Sequence, residues 1–253
     1  MEAELNRIPK RLNKEPLIEA IWQVQFDPTP PGRIGDLLPG ILFAALRNQG
    51  ANLQLQRLPS ADLPAVVVLS DPNLRHVAKY RLEDKSSPFM YQVGDQIMTL
   101  NCRRPYSGWG LFRENVLSLI KIVEDSGLVR APSRHSLRYI DFLTLEPPPS
   151  LSSLQISLKL GAFDVQSLPM QTRIEIPDVN CTHVVQVATP AQVGFPEGAT
   201  VGAIVDLETL STGSVITWSA IAGQIDYLHD RSKALFFENI LTEQAISRME
   251  PEY

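Results

Sequence analysis

Two segments of the chain alternate regularly between apolar and polar residues, at Leu17–Phe26 and at Arg134–Leu145. A period of two predicts half-buried antiparallel strands, because successive side chains of a strand point to opposite faces. Three longer segments repeat their apolar residues at helical spacing. They predict helices over Ile34–Arg47, Tyr106–Ser126 and Trp218–Asn239. These five elements form the frame of the predicted fold.

Shorter apolar runs between these elements predict additional strands. The Val93–Gln96 segment predicts a tight hairpin, since Gly94-Asp95 supplies the positive φ that such a turn requires. Ser107 is expected to cap the second helix, and Gly127 is expected to end it. The additional strands are expected at Leu53–Leu58, Ala65–Leu69, Val77–Leu82, Phe89–Val93, Gln96–Asn101, Leu154–Leu160, Gln171–Ile176, His183–Thr189 and Ala203–Thr209.

The order of these elements indicates the fold class. Strands come in runs and do not alternate regularly with helices, which predicts an α+β fold with mostly antiparallel sheets packed by long helices. Both halves begin with an alternating strand and end on a long helix. We therefore predict two similar α+β halves, 1–130 and 131–253, with one continuous domain as the alternative.

The composition is that of an ordinary folded protein. The 253 residues are 44% hydrophobic and 20% charged, which predicts a packed core rather than disorder. A net charge of −5 argues against a dedicated nucleic-acid binder, which usually has a basic domain. Met1–Asn13 has no apolar core of a secretory signal, and no apolar stretch reaches the roughly 18 residues of a membrane span. We expect a cytoplasmic protein with no membrane segment, in which Cys102 and Cys181 stay reduced.

Short motifs along the chain resemble a known protein family in their order and spacing. They are Pro16–Ala20, Gln92–Gly94, Tyr106–Trp109 followed by Phe112, Leu137–Ile140, and Leu228-His229 followed by Phe236-Phe237. The pattern covers Ile8–Thr242 and is similar to that of a sporadically distributed, functionally uncharacterised family of bacterial and archaeal proteins of similar length, known chiefly from a sequence model. The patchy occurrence of that family resembles that of mobile antiphage defence and toxin–antitoxin genes. The resemblance implies no activity, and this chain departs from the family at Asp141, where Asn is more common.

The sequence contains none of the common catalytic motifs. There is no Walker-type phosphate loop, no Rossmann glycine fingerprint, no Gly-x-Ser-x-Gly elbow and no His-Glu-x-x-His. We therefore assign no catalytic residue, and whether the protein is an enzyme stays open. The histidines do not suggest a local metal-binding pattern, so no metal site and no cofactor is predicted, with a site assembled from distant strands as the alternative. The histidines are His76, His135, His183 and His229.

His229 lies at the edge of the apolar stripe of the last predicted helix. One interpretation is a general base or a ligand contact, because an imidazole can titrate near neutral pH. The interpretation we favour is a half-buried ring bonded to a carbonyl group or to a neighbouring carboxylate, Asp226 or Asp230.

Two arginines share one face of the strand over Arg134–Leu145, and two more follow another strand. Arg134 and Arg138 are spaced to grip an anion, and Arg103 and Arg104 could join them. Such a cluster would bind a nucleotide, a nucleic-acid backbone or an acidic protein surface. We favour a solvated sheet face with cross-strand ion pairs, and we expect Glu19 to form a structural salt bridge with one of these arginines.

Three classes of function follow. The first is a non-enzymatic interaction or regulatory protein of a bacterial defence or toxin–antitoxin type of system. It would act with a protein partner or as a homodimer, since most soluble oligomers are symmetric pairs. The second is a nucleic-acid or nucleotide-binding protein that uses the arginines. The third is a hydrolase or nuclease that uses His229 and carboxylates such as Glu19 or Asp141. We rank them in this order, because the chain lacks catalytic motifs and has an acidic, ordinary composition.

Overall fold

The computed structural model describes residues 8–27, 34–213 and 217–253. The fold is α+β, as predicted, and helices pack against a nine-stranded antiparallel sheet. The helices are α1 (Ile34–Asn48), α2 (Ala65–Ser70), α3 (Trp109–Ser126), α4 (Trp218–Leu235) and α5 (Glu243–Arg248). The strands are β1 (Arg11–Leu12), β2 (Leu17–Phe26), β3 (Gln54–Arg57), β4 (Tyr80–Glu83), β5 (Phe89–Val93), β6 (Ile97–Arg103), β7 (Pro132–Leu143), β8 (Lys159–Leu160), β9 (Phe163–Asp164), β10 (Met170–Asp178), β11 (Cys181–Phe195), β12 (Gly198–Ser211) and β13 (Pro251–Glu252).

The large sheet has the strand order β10-β11-β12-β7-β2-β6-β5-β4-β3. Among the described residues, β10 and β3 are therefore its outermost strands. Strands β1 and β13 form one small separate sheet, and β8 and β9 form another. No helix in the described ranges has both the length and the apolar character needed to cross a membrane.

The chain forms two compact units. Unit 1 contains the described residues of Met1–Ile18, Tyr139–Thr209 and Tyr227–Tyr253. Unit 2 contains those of Glu19–Arg138 and Leu210–Asp226. Each unit takes residues from both predicted halves, and the division into 1–130 and 131–253 stays a prediction.

In unit 2, strand β2 and helix α3 bury the faces that their periodicity predicts. The inward residues of β2 are Ala20, Trp22, Val24 and Phe26. Those of α3 are Phe112, Val116, Leu119, Ile120 and Val123. Gly127 ends α3 in the left-handed conformation, with a φ of 64°, as predicted. Ser107 does not cap the helix, because Gly108 is the N-cap residue and adopts a φ of 85° that disfavours any side chain.

The hairpin between β5 and β6 forms as predicted, but for a different reason. Val93 pairs with Met98, and the N–H group of Gly94 donates to the carbonyl of Ile97 at 2.8 Å. Gly94 is not among the residues with positive φ. Its small size matters instead, because a Cβ atom at this position would overlap the carbonyl oxygen of Val77 and lie 2.9 Å from the Ile97 side chain.

Two predicted strands are wrong. Ala65–Leu69 lies within helix α2, which directly follows Pro64. A four-residue 3-10 turn precedes this helix and a three-residue 3-10 turn follows it, so no extended stretch is left for strand pairing. Of Leu154–Leu160, only Lys159–Leu160 forms a strand. Leu154 makes an isolated bridge to Leu241 instead. Apolar residues alone do not distinguish a strand from a buried connecting segment.

The core of unit 1 is built from β11, β12, the loop after β7 and the end of the chain. Helix α4 stops earlier than predicted, and a π turn follows it over Phe236–Ile240. A π turn holds more residues than an α-helical turn, and Phe236 and Phe237 both pack against the same core with ring centroids 5.2 Å apart. The buried members of this core include Leu143, Leu151, Val187, Val205, Leu207, Ile240, Leu241 and Met249.

Candidate functional site

The four arginines predicted to bind an anion all lie in unit 2. The guanidinium of Arg103 is 3.2 Å from a carboxylate oxygen of Glu83, an ion pair that agrees with the structural interpretation. Arg104 and Arg134 are exposed, and Arg138 is half-buried. A shared anion site for the four residues stays a prediction.

Glu19 lies opposite Arg103 in the register of β2 and β6. Its carboxylate accepts a hydrogen bond of 2.9 Å from the side-chain amide of Asn101. Asn101 in turn lies 2.7 Å from the hydroxyl of Thr99, which donates to its amide oxygen. The observed contact of Glu19 is therefore a polar network along β6, and the salt bridge with an arginine stays a prediction.

His229 is half-buried in unit 1, and its described contact is a phenol. The Nδ1 atom of His229 lies 2.9 Å from the hydroxyl oxygen of Tyr139, and the two rings are tilted by 60° with centroids 6.1 Å apart. Asp141, the carboxylate considered as its partner in catalysis, is only 4% exposed. Burial, followed by the carboxylates of Glu15 and Asp206, raises the pKa of Asp141 to about 8. Asp141 therefore keeps its proton at neutral pH and is a poor base there.

A different group of side chains meets at the end of the β10–β11 hairpin in unit 1. Asp178 and Cys181 pair across a two-residue turn, in which Asn180 adopts a left-handed φ of 58°. His183 lies two residues after Cys181, so its side chain points to the same face of the sheet. We call Asp178, Cys181 and His183 the Asp178 cluster.

The donor atoms of the Asp178 cluster are close together. Nε2 of His183 is 3.2 Å from Oδ2 of Asp178 and 3.8 Å from Sγ of Cys181, and Sγ is 3.8 Å from the same Oδ2. Cys181 and His183 are 1% and 2% exposed. The carboxylate of Asp178 retains 16% exposure, so the cluster reaches solvent through this residue.

A chain of hydroxyl groups supports the far side of the His183 ring. Nδ1 of His183 is 2.8 Å from Oγ1 of Thr209, which is 2.6 Å from Oγ of Ser232. Oγ of Ser232 is also 2.8 Å from the carbonyl oxygen of Leu228, one turn earlier in α4. Thr209 and Ser232 are fully buried. The imidazole is thus held in one orientation from behind.

The carboxylate of Asp178 collects several further donors. The backbone N–H of Val179 donates to Oδ1 at 2.7 Å, and Nε of Arg231 donates to Oδ2 at 2.7 Å. These two hydrogen bonds, with that of His183, lower the pKa of Asp178 to about 2. Burial, with the nearby Asp178 carboxylate, raises the pKa of Cys181 to about 11. In this state Cys181 is a thiol, which argues against a role as an activated nucleophile.

Strand β10 leads into this cluster, and no other strand of the described residues pairs with its outer edge. Its register with β11 pairs Asp178 with Cys181 across the turn, which makes them a hydrogen-bonded pair. Even-numbered residues of β10 therefore bond to β11, and the backbone groups of the odd-numbered residues point away from it. Arg173 and Glu175 lie on this outer register, and their side chains form an ion pair of 2.5 Å.

The chain matches no model of a known protein family, and no curated protein is similar to it. The family resemblance drawn from short motifs stays a prediction, and the geometry carries the functional argument. The patterns considered in the sequence do not predict the Asp178 cluster, although Cys181 and His183 are only two residues apart and Asp178 is three residues before Cys181. An alternating Cys-x-His pair beside a turn with a carboxylate was the available signal.

Proposed function

We propose that this protein is a non-enzymatic interaction protein and that the free edge of β10 pairs with the β10 strand of a second copy. The observation that carries the proposal is the self-complementary edge itself. A strand edge with free N–H and C=O groups is a template for pairing with another chain. The described partners of Arg103 and His229 are a carboxylate and a phenol, so the nucleic-acid and hydrolase alternatives have less support.

Charge selects one register for the two strands. In an antiparallel pair whose twofold axis passes through Ile174, Arg173 lies opposite Glu175 of the second copy, and Glu175 lies opposite the second Arg173. Shifting the axis by one residue in either direction would place two arginines or two glutamates directly opposite each other. Like charges in that position are destabilising, whereas each opposite pair contributes roughly 0.2–1 kcal/mol.

Ile174 gives the same axis an apolar contact. It lies on the face of β10 from which Met170 and Ile176 pack against the unit 1 core. Its own side chain is 47% exposed, because no further strand of the described chain covers it. In the proposed pair the two copies of Ile174 face each other, which removes apolar surface from water.

The segment around β10 is also rich in exposed apolar side chains. Within the described ranges, seven of the fourteen large hydrophobic residues that are strongly exposed fall between positions 158 and 201. Exposed apolar surface at this density is typical of interaction sites. The seven are Leu158, Leu160, Phe163, Leu168, Ile174, Val179 and Val201.

Pro177 limits how far the edge can pair. It occupies an outer position of β10, where its missing N–H group would otherwise point toward a second strand. Pairing is therefore confined to the stretch from Gln171 to Glu175 and is not expected to extend into an open aggregate. Cytoplasmic location and a role in antiphage defence are further parts of the proposal; the two cysteines, buried and unbonded, are compatible with a reducing compartment.

Analytical ultracentrifugation of charge-reversal variants tests the pairing. Arg173→Glu and Glu175→Arg each replace both opposite-charge pairs of the dimer with like-charge pairs, so each variant alone should dissociate with a Kd raised at least about tenfold. An equimolar mixture of the two variants restores both pairs and should recover the dimer. Lys121→Glu, on the exposed side of α3, makes the same charge reversal away from β10 and should leave association unchanged.

Two results would overturn this assignment. One is a wild-type chain that sediments as a monomer at every attainable concentration. The other is a mixture of folded Arg173→Glu and Glu175→Arg chains that stays dissociated while the wild type is dimeric, which would place the interface elsewhere. A third result would be a different protein that binds the wild-type chain at fixed stoichiometry and does not bind the Ile174→Lys variant. In that case a strand of the other protein, and not a second copy of this chain, pairs with the edge of β10.

A further inference from the structure

The donor atoms of the Asp178 cluster are spaced like the ligands of a tetrahedral zinc ion. Zinc bonds of about 2.3 Å to sulfur and about 2.0–2.1 Å to nitrogen and oxygen put the ligand atoms roughly 3.3–3.6 Å from one another. The observed separations are 3.8 Å from Sγ of Cys181 to each of the other two atoms, and 3.2 Å between Nε2 of His183 and Oδ2 of Asp178. The three atoms therefore form one face of such a tetrahedron with shifts of only a few tenths of an ångström.

The hydroxyl chain behind His183 can hold the proton of Nδ1 when Nε2 binds a metal. Ser232 has one hydroxyl proton and lies 2.8 Å from the carbonyl oxygen of Leu228 and 2.6 Å from Oγ1 of Thr209. When Ser232 donates to the carbonyl, it accepts from Thr209, and Thr209 accepts from an N–H at Nδ1 of His183. That arrangement leaves the lone pair of a neutral ring on Nε2.

That lone pair faces two other electron-rich atoms. Nε2 of His183 points toward the ionised carboxylate of Asp178 and the sulfur of Cys181 at the distances given above. Without a metal, protons join these atoms: the Cys181 thiol donates toward Oδ2 of Asp178, and a proton on Nε2 of His183 makes the contact with Asp178 a hydrogen bond. A zinc ion would take the place of both protons. A ligand histidine whose other nitrogen donates to an outer partner is also the usual arrangement in metal sites.

We propose that Asp178, Cys181 and His183 bind one zinc ion through Oδ2, Sγ and Nε2. One sulfur, one imidazole nitrogen and one carboxylate oxygen suit the borderline-soft Zn²⁺ ion better than the hard ions Mg²⁺ and Ca²⁺. Binding replaces the thiol proton of Cys181, which is released to solvent, so that thiolate and carboxylate together balance the two positive charges of the ion. Water or an outside ligand completes the coordination as the fourth donor.

Arg231 and Val179 occupy the outer shell of this site. The guanidinium donates to Oδ2 of Asp178 through Nε, and the backbone N–H of Val179 donates to Oδ1. Nη2 of Arg231 also lies 2.5 Å from Oδ2, so the guanidinium would give up one of its two contacts with this oxygen when the ion binds. The bond from Val179 keeps the carboxylate oriented. Zinc would thereby link the turn of the β10–β11 hairpin to His183, whose ring is held by Thr209 and, through it, by Ser232 of α4. The site is independent of the proposed pairing at the β10 edge.

Cobalt substitution tests the site on the intact chain. Metal-free protein prepared with a chelator is titrated with Co²⁺ and then with Zn²⁺. We expect visible d–d bands of tetrahedral strength and a near-ultraviolet sulfur-to-cobalt charge-transfer band, saturating at one ion per chain and lost when Zn²⁺ displaces Co²⁺. In parallel, ¹⁵N spectra of the imidazole rings should show that zinc shifts Nε2 of His183 and that Nδ1 is protonated in the zinc-bound protein.

Matched cysteine variants identify the ligand. Cys181→Ser should abolish the charge-transfer band, whereas Cys102→Ser changes the other buried cysteine, which lies in unit 2, and should keep it. Far-ultraviolet circular dichroism shows whether both variants fold. If Cys181→Ser does not fold, the ¹⁵N spectra of the wild-type protein test zinc binding at His183 instead. Absence of the charge-transfer band together with unchanged His183 nitrogen shifts in zinc would overturn the proposal, as would loss of the band in folded Cys102→Ser alone.

Discussion

The hydroxyl oxygen of Thr209 lies 2.8 Å from Nδ1 of His183, and this contact turns Nε2 toward Asp178 and Cys181. The two residues come from β12 and β11, adjacent strands of the large sheet. The orientation of the imidazole is therefore set by the pairing of two strands and does not depend on the turn at Asp178. Removing the hydroxyl should affect metal binding without removing a ligand.

Thr209→Val tests this dependence. The substitution preserves the shape of the side chain but leaves the N–H at Nδ1 without its acceptor, and loss of an outer-shell partner typically weakens metal binding by about 10–100-fold. We expect a weakening of this size for zinc, measured by competition with a chromophoric chelator. Thr209→Ser keeps the hydroxyl and should bind zinc nearly as the wild type does. A folded Thr209→Val protein with unchanged zinc affinity would show that the contact does not support the site.

Gly94→Ala should destabilise the β5–β6 hairpin. The added methyl group would overlap the backbone carbonyl of Val77, which cannot move away as a flexible side chain could. We expect a loss of at least about 2 kcal/mol in the free energy of unfolding, the range of other overpacking substitutions. Urea denaturation monitored by tryptophan fluorescence measures it.

Gly110→Ala is the matched control for this prediction. Gly110 lies in the first turn of α3, and a Cβ atom there meets nothing within 4 Å. Alanine is favoured over glycine within helices by roughly 0.5–1 kcal/mol, so this variant should be equally or more stable than the wild type. Equal losses in the two variants would contradict the argument from close packing at Gly94.

Local periodicity predicts those helices and strands whose buried residues repeat regularly within the element itself. The alternation over Leu17–Phe26 gives the bounds of β2 to the residue, and the helical stripe gives α3 to within three residues at its start. The same reasoning fails for Ala65–Leu69, where three valines favour a strand but prolines allow only short turns. Propensity is overridden there by the covalent restriction of the backbone.

The Asp178 cluster shows why sites are harder to predict than strands. The spacing of Cys181 and His183 is visible in the sequence, and it was the one local signal for the cluster. Asp178 becomes their neighbour only through the register of the hairpin, and Thr209 and Ser232 come from elements that follow later in the chain. The arginines and His229 were more conspicuous, since charge and titration are properties of single residues.

Asp226 joins α4 to α3 within unit 2, and its replacement should lower the free energy of unfolding by a modest amount that depends on salt. Its carboxylate accepts from Nε of Arg113 at 2.7 Å and from the indole N–H of Trp109 at 3.2 Å. Both charged side chains are more than a third exposed, so Asp226→Asn should cost no more than about 1 kcal/mol. The difference from wild type should shrink in molar salt, because screening weakens exposed ion pairs. A larger loss that persists in high salt would mean that shape, rather than charge, makes the contact.

The buried carboxyl of Asp141 should make the stability of the protein fall as pH rises. Its pKa increases from an ordinary value of 3.8 to about 8, first through burial and then through the carboxylates of Glu15 and Asp206. Between these two values the unfolded chain has lost this proton and the folded chain keeps it. The folded state therefore binds more protons, and each pH unit in this window lowers the free energy of unfolding by up to about 1.4 kcal/mol.

Asp141→Asn should remove this pH dependence, because the amide has the shape of the protonated carboxyl and does not ionise. The variant should match the wild type near the ordinary pKa of the carboxyl and become progressively more stable than it up to about pH 8, with the gap constant above that value. Urea denaturation across this range measures the difference. Asp125→Asn, an exposed aspartate in the last turn of α3, should leave the slope of the wild type unchanged. Parallel stability profiles for wild type and Asp141→Asn would mean that Asp141 is ionised in the folded protein, and its burial would then have to be balanced by a donor that holds the charge.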